Sequence, residues 1–335
     1  MGFFIAPTHS LLYIAPLVSF IITFLATPIL IRYLRRLGLE VPDQNKIDKP
    51  LIPISGGLAV LAGILAGLMT YAFILIFYYQ TDRSLVFIFA ATLTIILITF
   101  IGFLDDIIIN KGREASSGLR QWQKTLLTLF PAAPLIVINA GVSVIFIPFI
   151  GPVDFGILYP LLLIPIGVVG ASNMVNLLGG LNGIETGMGL VYTGMLSIYA
   201  YTLQEFATAA LGAIAFMALL AFLYYNKYPA KIFPGDSLTY LLGSVIVSMA
   251  ILGNIEKAAL IASIPFIMEF ILKLRSKLKA QCYGIYQNGK IHSLYGRKIY
   301  SLVHIFTRTG RFTEKQIFYI FILIELFFSS IIWIV

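Results

Sequence analysis

The chain has 335 residues, of which 59% are hydrophobic and only 11% are charged. Soluble domains carry about 25% charged residues, so this composition excludes a soluble globular protein and indicates a polytopic membrane protein. The net charge of +8 is spread over short loops between apolar segments, so we expect no nucleic-acid partner, and the single cysteine, Cys282, excludes an internal disulfide.

Ten apolar segments are long enough to cross a bilayer as helices, which need about 17–25 residues. No basic residue precedes Arg32 and the first segment is long enough to span, so we expect no cleavable signal peptide. We predict an all-α polytopic membrane protein with about ten transmembrane helices in a single transmembrane domain, residues 1–335. The predicted spans are 10–36, 55–79, 84–104, 120–139, 157–173, 185–203, 206–225, 237–253, 257–274 and 314–334.

A short stretch between the fourth and fifth spans, residues 141–156, has a different pattern. Its β-branched and aromatic residues surround Gly151-Pro152, which is typical of two short strands joined by a turn. We predict a small β-hairpin that lies at the extracytoplasmic membrane surface.

Lysine and arginine are concentrated in alternate loops. All of them except Arg83 and Lys257 lie in or beside the loops that follow spans 1, 3, 5, 7 and 9. Positive residues accumulate on the cytoplasmic side of membranes, so we expect these five loops to be cytoplasmic and both termini to lie outside.

Two adjacent acids, Asp105 and Asp106, end the third apolar segment. A carboxylate at the centre of a bilayer-spanning helix costs roughly 2.5–3.5 kcal/mol, so two of them at a helix end suggest a site that faces the cytoplasm. Neighbouring helical residues diverge by about 100°, so one acid can face a reactant while the other orients a metal or a base. The alternative is a solvated helix end that only marks the membrane surface.

The first two cytoplasmic loops add further polar groups. Asp43, Asn45 and Lys46 lie together in the first loop, and the second loop adds Asn110 and, at the start of the fourth span, Lys124. A basic flank that stops translocation would explain the first group. A lysine that extends its amine to the membrane surface would explain Lys124.

The third cytoplasmic loop combines amides with glycines. Asn173 and Asn176 are three residues apart and so share a helix face, and Asn182-Gly183 forms a turn whose backbone can approach a ligand, followed by Glu185. The loop is not a dinucleotide-binding fingerprint because it lacks the βαβ context.

The fourth and fifth cytoplasmic loops carry an isolated acid and many cations. Asp236 directly precedes the eighth span, where a role as the helix N-cap would explain it. The last loop, residues 274–313, is rich in lysine and arginine and includes Lys277 and Lys279. Such a cluster can bind anionic lipid headgroups or a pyrophosphate.

These five loops offer carboxylates, amides and cations, but no Cys/His zinc pattern. Oxygen ligands suit Mg²⁺, which binds through one or two carboxylates together with substrate phosphates. We therefore expect Mg²⁺-dependent chemistry on a phosphate or diphosphate at the cytoplasmic surface, within reach of lipid.

Four motifs in chain order, DQNK, FLDD, NMVNLLGGLNGIE and FPGDS, resemble those of the polyprenyl-phosphate N-acetylhexosamine-1-phosphate transferases. The third motif and the stretch YQNGKI are more similar to the archaeal and eukaryotic dolichyl-phosphate GlcNAc-1-phosphotransferases. The bacterial phospho-MurNAc-pentapeptide translocases usually have Asp-Gly-x-Asp-Gly there and a histidine triplet in the last cytoplasmic loop. The chain departs from the dolichyl pattern in its last-loop lysines and in Ile54, where a glutamate often follows the proline. These departures bear on which sugar the protein would accept more than on the reaction that it would catalyse.

The resemblance implies transfer of N-acetylglucosamine 1-phosphate from UDP-GlcNAc to a polyprenyl (dolichyl) phosphate, with release of UMP and with Mg²⁺ or Mn²⁺ as cofactor. It implies a location in the plasma membrane of an archaeal prokaryote, with the active site in the cytoplasmic loops. Whether the chain forms a homodimer is left open.

Carried over by motif, the resemblance also implies roles for single residues. Asn176 and Asp236 would contact the metal. Asp105 and Asp106 would form an acidic centre near Lys124, and one of the two acids would deprotonate or position the lipid phosphate. Substrate contacts are implied for Asp43, Asn45, Lys46, Asn110, Asn173, Asn182, Glu185, Lys277 and Lys279.

Three alternatives stay open at this stage. The same chemistry could use another UDP-N-acetylhexosamine for a cell-wall or surface polysaccharide. A transporter would need charged residues in the middle of spans and inverted repeats; Glu269 is the best example of such a charge. An aromatic prenyltransferase would need two Asp-rich motifs, whereas this chain has one Asp-Asp pair and the isolated Asp236.

Overall fold

The structure is a computed structural model that describes residues 13–82, 84–112, 118–147 and 151–334, without the side chains of residues 110–112, 121, 146 and 147. This part of the chain is mostly helical. Its α-helices are α1 (Ile14–Arg36), α2 (Gly57–Phe77), α3 (Leu85–Gly112), α4 (Gln121–Leu129), α5 (Ala133–Val137), α6 (Ile164–Asn176), α7 (Ile184–Thr202), α8 (Phe206–Asn226), α9 (Gly235–Leu252), α10 (Glu256–Ala262), α11 (Ile264–Leu274), α12 (Leu302–Thr307) and α13 (Glu314–Ser330). Its strands are β1 (Glu40–Pro42), β2 (Leu51–Pro53), β3 (Val144–Ile147), β4 (Gly151–Asp154), β5 (Gly284–Gln287) and β6 (Lys290–Ser293).

Among the described residues, seven helices are long and apolar enough to cross a membrane. They are α1, α2, α3, α6 with the π-helical turn before it, α8, α9 and α13. Large apolar side chains such as Leu17, Leu25 and Ile29 are exposed on α1, as expected where a helix faces lipid instead of water. The chain is thus an integral, multi-pass membrane protein.

The other three predicted spans have a different form. The fourth is broken into α4, a 3₁₀ turn and α5, because Pro131 and Pro134 remove backbone donors and cannot continue an α-helix. The ninth is broken at Ser263 into α10 and α11, with Pro265 in the first turn of α11. The sixth is the continuous helix α7, whose polar side chains lower its hydropathy.

Among the residues that the structure describes, three antiparallel hairpins accompany the helices. The predicted hairpin is confirmed: β3 pairs with β4, with Val144 opposite Asp154 and Ile147 opposite Gly151. The expectation of an otherwise all-α chain was wrong, because β1 pairs with β2 and β5 with β6. These strands have only three or four residues, too few for the alternating pattern that identifies a strand in a sequence.

Helix α9 is the centre of the bundle. About 83% of its residues are buried, against 22% for α1, and α9 packs against α3, α6 and α8. Its contact with α6 is very close: a Cβ atom on Gly243 would overlap the backbone of Ser172. Small residues allow this kind of backbone approach between membrane helices. The positions of α6 and α9 relative to each other are therefore tightly constrained.

We expect Gly243→Ala to destabilise the protein, because its methyl group would push α9 away from α6. Overpacking of this kind typically costs about 1–3 kcal/mol, so the thermal unfolding midpoint of the purified protein should fall. The matched control is Gly170→Ala on α6, where an added Cβ would meet no atom within 4 Å. Equal melting temperatures for the two variants would contradict the close α6–α9 contact.

Candidate active site

One end of the helical bundle gathers acidic side chains around the ammonium group of Lys124. The Lys124 Nζ lies 2.5 Å from Oδ2 of Asp105 on α3 and 2.8 Å from Oδ2 of Asp236 on α9. Asp105 is fully buried and Lys124 is nearly so. A buried charge is costly without a partner, so this ionic contact ties α3 and α4 to α9, which lies more than 100 residues later in the chain. We call Asp105, Asp106, Lys124, Asn176 and Asp236 the acid centre.

Asp106 has a different environment from Asp105. Its Oδ1 accepts a hydrogen bond from the backbone N–H of Asp236 at 2.6 Å, and its Oδ2 accepts one from the N–H of Ser237 at 3.2 Å. The first N–H groups of a helix lack partners within that helix, so a carboxylate from α3 satisfies the start of α9. Gly235, the first residue of α9, has a φ of 69° and no room for a Cβ beside the Asp106 carboxylate.

The structure corrects one alternative reading of Asp236. Helix α9 begins at Gly235 with Pro234 at the N-cap, so Asp236 lies in the first turn and is not the N-cap. Asp106 supplies acceptors for this turn from another helix, which leaves the Asp236 side chain to contact Lys124 and Asn176.

Asn176 completes the acid centre. It is the last residue of α6, and its Nδ2 donates to Asp236 Oδ2 at 3.0 Å, while its Oδ1 accepts a hydrogen bond from Thr239 Oγ1 at 2.9 Å. The acid centre contains three carboxyl groups but one ammonium group, so a divalent cation would balance the charge. Asp236 and Asn176 carry oxygen atoms of the kind that Mg²⁺ prefers. In the described part of the chain, no three His, Cys, Asp or Glu side chains form a metal cage by themselves.

Two further predicted site residues, Asn173 and Glu185, have partners other than the acid centre. Asn173 donates to Thr128 Oγ1 of α4 at 3.2 Å and to the backbone carbonyl of its own helix, so its amide does not face α9 as that of Asn176 does. Glu185 is buried in the first turn of α7, beside the glycine-rich loop. Asn110 belongs to α3, but its side chain lies outside the described residues.

A second group of polar side chains, which we call the loop cluster, consists of Asp43, Asn45, Lys46, Asn182 and Glu314. Asp43 accepts hydrogen bonds from the Asn45 N–H at 3.0 Å and from Asn182 Nδ2 at 3.3 Å. Glu314 lies 2.5 Å from the Lys46 Nζ and accepts the N–H of Asn182 at 2.8 Å. The cluster thus joins the first loop, the glycine-rich loop and the start of α13.

The charge state of Lys46 follows from these contacts. Burial lowers the pKa of Lys46, but the neighbouring carboxylates of Glu314 and Asp43 raise it by more, so that it lies above its ordinary value of 10.5. Lys46 is therefore a cation throughout the neutral range.

Sequence reasoning missed Glu314. The residue follows Thr313, whose side chain forms a capping box with Gln316, so an acid in this first helical turn reads as an ordinary helix-start residue. A usable signal was its position: Glu314 begins the last span on the membrane side where the other four polar loops lie.

The last loop contacts the loop cluster through a backbone group and not through Lys277 or Lys279. The N–H of Gly284 donates to Asn45 Oδ1 at 3.0 Å, which brings the β5–β6 hairpin against the loop cluster. Lys277 and Lys279 are exposed, and neither forms an ion pair with the acid centre or the loop cluster within the described residues. Lys279 lines a cavity of about 560 Å³ together with Tyr295 and Lys298.

Glu269, the residue that best fitted a transporter, anchors this last loop. Its Oε2 accepts the N–H of Leu302 at 2.7 Å and the hydroxyl of Ser301 at 3.0 Å. Its Oε1 lies 4.0 Å from the Lys273 Nζ. This fully buried acid therefore has partners that explain it as a structural contact.

Comparison with known proteins places these features in a family. Residues 88–254 match the sequence model of glycosyl transferase family 4. The chain is 39% identical over 322 residues, covering 94% of both chains, to a Saccharolobus solfataricus protein whose name assigns it as a UDP-N-acetylglucosamine–dolichyl-phosphate N-acetylglucosaminephosphotransferase. A Sulfolobus acidocaldarius protein with the same name is 33% identical, over 93% of this chain and 92% of its own. The phospho-N-acetylmuramoyl-pentapeptide-transferase of Halalkalibacterium halodurans is 31% identical, over 83% of this chain and 87% of its own.

Replacement of Glu314 by glutamine should destabilise the protein in a pH-dependent way. A hydrogen bond to a charged group contributes about 1.5–3 kcal/mol, and Glu314→Gln weakens the one to Lys46. The folded-state pKa of Lys46 is raised, so this contribution is fully present below pH 10.5 and is lost as the pH rises through that raised pKa. Melting temperatures of wild type and variant should therefore differ at pH 8, and the difference should shrink as the pH rises through the raised pKa of Lys46.

The control for this measurement is Asp48→Asn, an exposed acid in the same loop. It should melt like the wild type at every pH. A difference between wild type and Glu314→Gln that persists undiminished at the alkaline end would show that the Lys46 charge is not responsible.

Proposed function

Because the chain belongs to the polyprenyl-phosphate N-acetylhexosamine-1-phosphate transferases, in the dolichyl-phosphate branch of glycosyl transferase family 4, we propose that it transfers N-acetylglucosamine 1-phosphate from UDP-GlcNAc to a dolichyl-type polyprenyl phosphate. UMP is the second product. This reaction is a first step in the assembly of a lipid-linked oligosaccharide.

The reaction replaces one phosphoanhydride by another. An oxygen of the lipid phosphate attacks the phosphorus that carries the sugar, and the bond from that phosphorus to the oxygen shared with the uridine phosphate breaks. UMP leaves with the shared oxygen, and a new P–O–P bond joins sugar phosphate and lipid. Such transfers depend mainly on positioning and on neutralisation of charge, with attacking and leaving oxygens roughly in line.

The acid centre is the observation that carries this proposal. It brings four helices within hydrogen-bonding distance through Asp105, Lys124, Asn176 and Asp236. Lys124 and Asp236 are in contact although they are 112 positions apart in the chain. Asp236 and Asn176 are the residues that would hold Mg²⁺, or Mn²⁺ in its place. The bound cation would neutralise diphosphate charge. The excess of carboxyl groups over Lys124 supports this assignment, because a cation would balance it.

The two adjacent acids have separate roles in this proposal. Both oxygens of Asp106 accept backbone N–H groups at the start of α9, so Asp106 holds Asp236 in place. Asp105 contacts Lys124 and the N–H of Leu119 and is the acid that deprotonates or positions the lipid phosphate. Lys124 stabilises both carboxylates and the negative charge of the reacting phosphates.

The remaining predicted residues bind substrate. The loop cluster holds the lipid phosphate and, through Asn182, the uridine end of the donor. Lys277 and Lys279 are exposed cations that would contact the pyrophosphate and the sugar as the last loop approaches the bound donor. Asn110, Asn173 and Glu185 stay predicted substrate-binding residues.

The proposed topology places the acid centre at the cytoplasmic membrane surface of an archaeal plasma membrane. The broken segments α4–α5 and α10–α11 and the polar helix α7 complete about ten spans, with both termini and the β3–β4 hairpin outside. The sorting of lysine and arginine to one side supports this orientation. A homodimer is compatible with the exposed apolar faces of α1 and α13 but not required.

A second candidate keeps the chemistry and changes the sugar. The match to a bacterial phospho-N-acetylmuramoyl-pentapeptide-transferase favours a donor with another N-acetylhexosamine, for a cell-wall or surface polysaccharide. The higher identity and coverage of the two archaeal proteins favour UDP-GlcNAc.

The test of the proposed function is release of UMP. Purified protein in lipid nanodiscs, given Mg²⁺, UDP-GlcNAc labelled at the sugar-bearing phosphorus and a polyprenyl phosphate, should yield unlabelled UMP and labelled lipid. EDTA should stop the reaction, and added Mg²⁺ or Mn²⁺ should restore it. Release of UDP in place of UMP would contradict phosphosugar transfer, and a higher kcat/KM with another UDP-N-acetylhexosamine would select the second candidate.

We expect Asp105→Asn and Asp106→Asn to lower activity in different ways. Loss of a general base or positioning acid typically costs about 10²–10⁴-fold, so Asp105→Asn should lose turnover while UDP-GlcNAc still binds. Asp106→Asn removes one acceptor from the start of α9, so it should weaken metal and donor binding as well as turnover. The control is Glu256→Gln, whose carboxylate accepts the Tyr159 hydroxyl away from both clusters. Near-normal turnover by both aspartate variants would remove the acidic pair from this mechanism.

A further inference from the structure

Thr239 is one helical turn after Asp236 on α9 and contacts the amide of Asn176. We propose that Thr239 is a positioning residue for the divalent cation, because its hydroxyl allows the Asn176 amide to reverse and present its oxygen to the metal. This inference rests on the proposed function and on the assignment of Asn176 and Asp236 as metal-binding residues.

The Asn176 amide has its nitrogen directed at Asp236 and its oxygen directed at Thr239. Its nitrogen donates to Asp236 Oδ2 at 3.0 Å, and its oxygen accepts from Thr239 Oγ1 at 2.9 Å. This orientation suits a carboxylate without a metal. An amide nitrogen has two donor hydrogens and no free acceptor site, so only the oxygen of Asn176 can bind a cation. For Asn176 to bind a cation together with Asp236, its amide therefore has to turn over, because its nitrogen now faces the Asp236 carboxylate.

Backbone motion cannot easily replace this rotation. Helix α6, which ends at Asn176, approaches α9 so closely at Ser172 and Gly243 that an added Cβ would overlap backbone atoms. The start of α9 is also held by Asp106. The side-chain amide is the part of this contact that can change its orientation.

Thr239 can satisfy the amide in both orientations. A threonine hydroxyl has one donor hydrogen and can also accept hydrogen bonds. Its Oγ1 lies 2.9 Å from Asn176 Oδ1 and 3.2 Å from the backbone carbonyl oxygen of Asp236. Before reversal the hydroxyl donates to the Asn176 oxygen. After reversal it accepts from the Asn176 nitrogen and donates to the Asp236 carbonyl.

Burial makes this second partner necessary. Thr239 is only 3% exposed, so water is poorly placed to replace the hydroxyl. Without it, the reversed amide nitrogen would lose the acceptor that the hydroxyl provides. The residues that orient a metal ligand typically affect metal affinity by about 10–100-fold.

The test measures Mn²⁺ binding instead of turnover. Full-length protein in nanodiscs, with saturating UDP-GlcNAc and no lipid acceptor, is titrated with Mn²⁺ and the free ion is followed by electron paramagnetic resonance. Thr239→Val, which keeps the side-chain shape and loses the hydroxyl, should raise the Kd about 10-fold or more. Thr239→Ser keeps the hydroxyl and should stay within about threefold of wild type. The matched control is Thr193→Val, a buried threonine whose hydroxyl bonds to its own helix at Gly189.

A second variant separates positioning from general damage. A carboxylate presents an oxygen in either orientation, so in an Asn176→Asp background the further change Thr239→Val should leave the Kd unchanged. A 10-fold loss that persists in this background would overturn the proposal and indicate a distorted α9.

The outcomes distinguish this inference from the proposed function. Equal Mn²⁺ affinity for Thr239→Val and wild type, with UMP still released by the wild type, would overturn the role of Thr239 and leave the function standing. Absence of Mn²⁺ binding by the wild type would overturn the metal site and this inference together. Absence of UMP release despite Mn²⁺ binding would instead count against the proposed reaction.

Discussion

A buried ammonium group shared by two carboxylates holds this end of the protein together. Removing a charge from water costs several kcal/mol unless close opposite charges and hydrogen bonds replace the solvent. Lys124 has Asp105 and Asp236 at ion-pair distance, so α3, α4 and α9 have to meet at this point. Asp106 adds a second link between α3 and α9 through backbone N–H groups, and Asn176 brings in α6. The acid centre is thus a chemical site and a structural junction at once.

The loops around the junction are held by the same kind of contact. Glu314 joins the start of α13 to Lys46 and Asn182, and Asn45 accepts a hydrogen bond from Gly284 of the last loop. Glu269 ties the far end of that loop to α11. Polar groups of this kind are expensive inside a membrane and are tolerated where protein partners satisfy them. Their convergence at helix ends suits a reaction in which a water-soluble donor meets a lipid phosphate.

Much of this arrangement was predictable from local patterns, and the failures have identifiable causes. The apolar runs, the hairpin at residues 141–156 and the polar residues of the five loops were visible in the sequence. The breaks in the fourth and ninth spans were missed because membrane helices often tolerate proline. Pro131 and Pro265 therefore did not by themselves indicate that a helix ends there. The two additional hairpins were too short to show alternation. Glu314 resembled an ordinary acid at a helix start.

By itself the sequence determined the class of protein, the approximate spans and the residue types available for chemistry, because hydropathy and residue identity are local properties. Only the tertiary structure decided which acid contacts Lys124 and which one satisfies the start of α9, although Asp105 and Asp106 are adjacent in the chain. It also decided that Asn176 faces Asp236 while Asn173 faces α4. Such choices depend on which helices pack together, and a pattern within one segment carries no information about its neighbours across the bundle.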